Sequence, residues 1–189
     1  MPKSTSMLAS GALQYFEKQG LPKLTLVSRD GQATFSLEGS ATVRPWFHFP
    51  WSACNGATEW QIHLNPTVSS DITAHTDGGN VDVVLPECAA NLSVAARTGA
   101  GNITVEIGSG TTGSNIVNAK SGAGNVEVYI PSRVAARIHA TTGLGKVMMD
   151  PQFSKIGDNT YQSSDFNDAA NKVELIASSG AGNVIADTR

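Results

Sequence analysis

Charge is scarce in this chain. Lys, Arg, Asp and Glu together make up 15% of its 189 residues, and the formal net charge is −3. Such a balance leaves no basic footprint for nucleic acid and no polybasic patch for an anionic membrane. Long apolar runs are missing as well. The N-terminal MPKSTSMLASGALQYFEKQG lacks an unbroken apolar stretch of leader length, and nothing later approaches the ~20 apolar residues of a spanning helix. The sequence as written is expected to be neither exported by a leader nor inserted in a membrane, which leaves the cytoplasm or an association with the envelope.

Cysteine is nearly absent. Cys54 and Cys88 are too few for a disulfide framework, and both a single bridge and two free thiols fit the spacing. The histidines, at 48, 63, 75 and 139, show no H-x-x-x-H spacing, and neither cysteine belongs to a C-x-x-C pair. No motif places a base beside a serine or cysteine nucleophile. The expectation is a protein that is not an enzyme and holds no metal or cofactor.

What the chain does have is glycine, 19 residues of it, and the glycines repeat. A Gly-x-Gly-Asn turn recurs at Gly99-Ala100-Gly101-Asn102, Gly122-Ala123-Gly124-Asn125 and Gly180-Ala181-Gly182-Asn183. Weaker copies stand at Asp77-Gly78-Gly79-Asn80 and Gly143-Leu144-Gly145-Lys146. The last turn positions differ by 22, 23, 21 and 37, so the final interval is one repeat plus some 15 inserted residues within Pro151–Asn171. These turns are structural. A phosphate loop leads into a helix N-terminus, whereas this motif joins two strands in every repeat.

The flanking columns alternate with period two. Eight residues before the last turn position stand Ile72, Val94, Val117, Ile138 and Leu175, and six before stand an alanine in all five copies. Four before, the column is Thr76, Thr98, Ser121, Thr142 and Ser179. After the turn, Val81, Ile103, Val126, Val147 and Val184 are followed two residues on by Val83, Val105, Val128, Met149 and Ala186. Alternation of this kind marks strands with one buried face. The fold expected is all-β, a solenoid-like stack of two-stranded coils of ~21–23 residues each, with apolar columns buried as ladders.

A degenerate coil is expected at Trp60–Pro66. Before it, Leu24-Thr25-Leu26 and Phe35-Ser36-Leu37 flank Asp30-Gly31, a hairpin signal. Leu8, Ala12 and Phe16, at i, i+4 and i+8, predict a short amphipathic helix. Residues 1–58 are thus expected to form a cap packed on a 59–189 repeat domain, in one folding unit. The other end of the stack is expected at Val184, Ile185 and Ala186, a candidate edge for self-association.

Two further features are candidate sites. Trp46, Phe47, Phe49 and Trp51 concentrate aromatics in Arg44–Trp51, either as a plug for the open core or as a contact for a protein or glycan partner. The outward columns separate by sign: His75, Arg97, Lys120, Arg137 and His139 precede the turns, while Asp82, Glu106, Glu127 and Asp150 follow them. These are either two solvated faces or complementary contact surfaces.

The copies of S/T-G-A-G-N-V/I, each followed by V-x-V, resemble the bacterial putative-adhesin and toast-rack repeat domains, and the C-terminal domain of LiaF-like cell-envelope stress regulators. The closing stretch from Tyr161-Gln162-Ser163-Ser164 through Lys172-Val173-Glu174-Leu175 to Gly180-Ala181-Gly182-Asn183-Val184 is similar to theirs. The resemblance spans roughly residues 60–189. It implies a rack of β-strands, no catalytic residues, and an envelope-associated role in binding or scaffolding. The expected partner is a protein or a second copy, with a glycan as the alternative.

Overall fold

A computed structural model describes residues 9–14, 23–29, 32–38 and 59–64, and all of 71–189 except 86, 88 and 89. Every regular element among them is a strand. The chain forms two compact units, Met1–Asn65 and Pro66–Arg189.

In the first unit, β1 (Ala9–Gln14) pairs antiparallel with β4 (Glu59–Leu64), and β2 (Lys23–Arg29) with β3 (Gln32–Glu38). The β2–β3 pair is the expected hairpin, closing from Arg29 opposite Gln32. Two expectations fail. The segment around Ala12 is a strand and not a helix. Ser10 and Gly11 are poor interior helix residues, and Gly11 alone costs about 1 kcal/mol against alanine, so cross-strand pairing wins. Leu8 and Phe16 lie outside the described residues. Trp60–Leu64 is not a coil of the stack either, because it pairs antiparallel with β1. No Gly-x-Gly-Asn turn precedes it, so it has no means of entering the parallel ladder.

The second unit contains the repeats. Long strands β5 (Asp71–Gly78), β7 (Ser93–Ala100), β9 (Ser114–Ala123), β11 (Ala135–Leu144) and β15 (Lys172–Ala181) build one parallel sheet. Each turns sharply into a short strand: β6 (Val81–Val84), β8 (Ile103–Glu106), β10 (Val126–Ile130), β12 (Val147–Met149) and β16 (Val184–Thr188) form the second. The inward columns behave as expected. Val94, Val117, Ile138 and Leu175, with Ile103, Val105, Val126, Val128, Val184 and Ala186, are 0–1% exposed and share one core. Burying each such valine, isoleucine or leucine is worth ~1.5–3 kcal/mol before entropy.

The spatial order differs from the sequence order. The long sheet runs β5–β7–β9–β15–β11 and the short one β6–β8–β10–β16–β12. The last coil in the sequence is therefore inserted between the third and the fourth. β16 pairs with β10 from Val126–Val184 to Ile130–Thr188, and with β12 from Val147–Val184 to Met149–Ala186. Val184, Ile185 and Ala186 consequently form no edge: they are hydrogen-bonded on both flanks, in the interior of the sheet.

The Pro151–Asn171 insertion makes this crossover. It contributes a hairpin, β13 (Phe153–Gly157) and β14 (Thr160–Ser163), and β14 pairs antiparallel with Arg137–His139 on the outer flank of β11. Ser163 Oγ accepts the Ala136 N–H at 3.0 Å, and Phe153 and Phe166 are buried. The hairpin thus covers part of the sheet edge and returns the chain across β11, where it enters the vacant position as β15.

The turns hold the coils together. Between the third and last coils, the Ser179 hydroxyl donates to the Gly124 carbonyl at 2.7 Å, and the Asn183 N–H donates to Asn125 Oδ1 at 2.9 Å. The same pair of bonds recurs at every step. The hydroxyl bonds run from Thr98 to Gly79, Ser121 to Gly101 and Thr142 to Gly182; the amide bonds reach Asn80 from Asn102, Asn102 from Asn125 and Asn183 from Lys146. The Ser/Thr column therefore bridges adjacent coils, rather than closing its own turn. Thr76, in the first coil, has no earlier coil and bonds to Gly78 of its own turn. Glycine is required at Gly124, where φ is +138° and a Cβ would meet the Gly101 carbonyl.

Candidate functional site: the two outer faces of the rack

Because side chains alternate across a strand, the columns that do not enter the core form the outer faces of the two sheets. On the long sheet, His75, Arg97 and Lys120 lie opposite one another on β5, β7 and β9, and all three are exposed. His75 Nε2 stands 3.5 Å from Asp77. Arg97 and Lys120 form no ion pair among the described residues. Next to this row are two exposed apolar side chains on neighbouring strands, Ile116 at 48% and Ile176 at 39%.

Arg137 belongs to the same sheet but is engaged. Its Nε donates to Gln162 Oε1 at 2.9 Å, its guanidinium lies 3.7 Å from Glu174, and its Cζ is 4.3 Å from the centre of the buried Phe166 ring. Lys172 Nζ lies 5.4 Å from the same ring. This cluster fastens the insertion to β11 and β15. Phe166 carries no repeat signal and the sequence reading missed it; Gln162 and Glu174 entered there only through the resemblance, with no role assigned.

The short sheet is acidic outside. Each coil contributes one carboxylate there: Asp82, Glu106, Glu127, Asp187 and Asp150, on β6, β8, β10, β16 and the end of β12. Arg189 Nη1 reaches Glu106 Oε1 at 2.9 Å, and its Cζ sits 3.8 Å over the Tyr129 ring. The Tyr129 hydroxyl donates to Glu127 Oε2 at 3.2 Å, and the charge of Glu127 pushes the phenol pKa upward. Asp150 is held below the ordinary carboxylate range by the Gln152 N–H and the Thr188 side chain. Glu87, on the return loop after β6, is likewise lowered, by the Ser109 hydroxyl and then the Gly110 N–H. Ile185 and Met148 lie side by side among the carboxylates, with Met148 41% exposed.

The sign separation read from the sequence is largely a separation of faces: the short sheet bears five carboxylates, Asp187 among them, with Arg189, whereas the long sheet bears the cations together with Asp77 and Glu174, and Arg137 is tied up. Gly79, Gly101, Gly124, Gly145 and Gly182 all have positive φ, and Gly99, Gly122, Gly143 and Gly180 each face the backbone of the adjacent coil. Asn102, Asn125 and Asn183 are ladder members. Trp46, Phe47, Phe49, Trp51, Cys54 and Cys88 lie outside the described residues. Among the described residues no group of three His, Cys, Asp or Glu is placed to hold a metal ion. No helix there is long and apolar enough to cross a membrane.

A parallel two-sheet rack with a Gly-x-Gly-Asn turn in each coil defines a class of β-repeat domain. The chain belongs to the toast_rack family: residues 1–129 match the N-terminal domain of toast_rack, DUF2154. Residues 97–185 match a second family, the C-terminal domain of LiaF, the cell wall-active antibiotics response protein. The crystal structure of a putative cell adhesion protein from Clostridium sporogenes is similar at a TM-score of 0.77 and 20% identity. The match covers 98% of this chain and 85% of that one, a likeness of fold. No curated protein matches the sequence.

Proposed function

We propose that this chain is a non-enzymatic binding or scaffold domain associated with the cell envelope, which presents the flat outer faces of its rack to a protein partner. The observation that carries this reading is the match of residues 97–185 to the C-terminal domain of the LiaF cell wall-active antibiotics response protein. That match falls on the coils that display Arg97, Lys120 and Glu127. The chemistry agrees with it. Arg97 and Lys120 lie on one sheet and the five carboxylates of the short sheet on the other, so their charge suits docking more than proton transfer.

A tagged full-length chain in its native host tests the proposal. It is expected in the envelope fraction, crosslinked to a defined protein through the outer faces of the sheets. Recovery in the cytosol, with no crosslink dependent on Arg97 or Lys120, would refute it. Retention on cell-wall polysaccharide that is lost on Trp46→Ala with Trp51→Ala would favour a glycan adhesin instead.

A further inference from the structure

We infer that the protein partner is a second copy of this chain: the outer face of the long sheet in one copy packs against the outer face of the short sheet in the next. The inference rests on the protein-binding reading above and names its occupant.

Three observations lead here. Arg97 and Lys120 are exposed, in register on adjacent strands, and without an ion pair among the described residues. On the opposite sheet every coil carries one carboxylate, and Asp82 and Asp187 likewise form no ion pair there. Each face also has apolar side chains beside its charges: Ile116 and Ile176 on the long sheet, Ile185 and Met148 on the short one.

The charges of both faces stand on the same coils, which stack about 4.8 Å apart. Arg97 and Lys120 of one copy can therefore meet the carboxylates of another, which alternate between two register rows, Asp82 with Glu127 and Glu106 with Asp187. The contact joins two different surfaces, so each added copy leaves one face of each kind free and association continues as an open stack. The short face is small, roughly 20 Å by 15 Å, and it limits the contact to well below a standard interface, so a single contact is weak and salt-sensitive.

Sedimentation of the full chain up to about 1 mM, in about 20 mM and about 500 mM salt, tests the inference. Association is expected in low salt, weakened at least tenfold in high salt. Arg97→Glu with Lys120→Glu makes both faces acidic, and Asp82→Lys with Glu127→Lys reverses one carboxylate row and cancels the net negative charge of the short face. Each double variant alone is expected to be monomeric, with its thermal transition close to that of the parent, and a mixture of the two is expected to associate again. Association of either variant as strong as the parent's, or failure of the mixture to associate while both remain folded, would overturn it. A parent chain that stays monomeric in low salt also overturns it. If that monomeric chain still crosslinks to an envelope protein through Arg97 or Lys120, the protein-binding reading survives the loss of this one.

Discussion

The asparagine that ends four of the five turns is the residue on which the stack depends most directly. Its side chain does across coils what a backbone carbonyl does along a sheet: it accepts an N–H that would otherwise lose its partner. Asn125→Ala removes the acceptor of the Asn183 N–H, and a partly buried donor left unpaired costs about 1–3 kcal/mol. Lys146→Ala, at the same position of the last coil in space, is expected to stay within ~0.5 kcal/mol, because no further coil leans on it. Urea unfolding of the two variants checks this, and equal losses would mean that the ladder is decorative. Glycine gives a parallel contrast. Gly124→Ala combines positive φ with a clash against the Gly101 carbonyl, and should cost at least ~3 kcal/mol or prevent folding. At Gly78 a Cβ meets nothing within 4 Å, and φ is not positive, so Gly78→Ala should be near neutral.

At the scale of the element, the alternation of a strand decides which substitutions matter. Val128→Asp buries an unpaired charge in the centre of the core and is expected to abolish folding. Glu127→Ala, one residue earlier and outward, loses only a contact with the Tyr129 hydroxyl and should cost no more than ~0.5 kcal/mol. Circular dichroism in a denaturant series separates the two. The strand ends also set an acid limit. Asp150 and Glu87 have folded pKa values below their unfolded ones, so they contribute stability above the unfolded value, which is lost as pH falls through the depressed folded value. Asp150→Asn is expected to lower stability near neutrality and to flatten its fall below about pH 4, where parent and variant converge. An unchanged acid limb would show that the Gln152 and Thr188 contacts do not hold the carboxylate.

For the whole molecule, insertion of the last coil makes the C-terminus structurally central. Removing Lys172–Arg189 deletes β15 and β16, leaving β9 and β10 with no partner on one side and β11 and β12 with none on the other. Truncation at residue 171 is therefore expected to abolish cooperative unfolding, measured by denaturant titration. A stack in sequence order would lose only its outermost coil and keep a transition of reduced midpoint. Folding should also be slow for a domain of this size, since the coils on either side of the gap close only after the last residues arrive.

The sequence by itself determined the strands, the turns and the in/out register of the five coils. These follow from short-range physics: period-two burial and a glycine turn leave a trace at fixed spacing. It also placed the insertion and separated the charges by strand. Only the tertiary structure decided the order of the coils, because parallel ladders are built from nearly interchangeable repeats and the alternation of Val, Ile and Ala does not say which coil lies beside which. One trace of the order was present. The three complete Gly-Ala-Gly-Asn copies are the three central coils, while the two imperfect ones, ending in Asn80 and Lys146, are the outer ones. A coil with neighbours on both sides must satisfy two sets of hydrogen bonds and tolerate close approach on two flanks; an outer coil faces half of those constraints. The pairing of Ala9–Gln14 with Glu59–Leu64 left no comparable mark, since a contact across some fifty residues has no local period to reveal it.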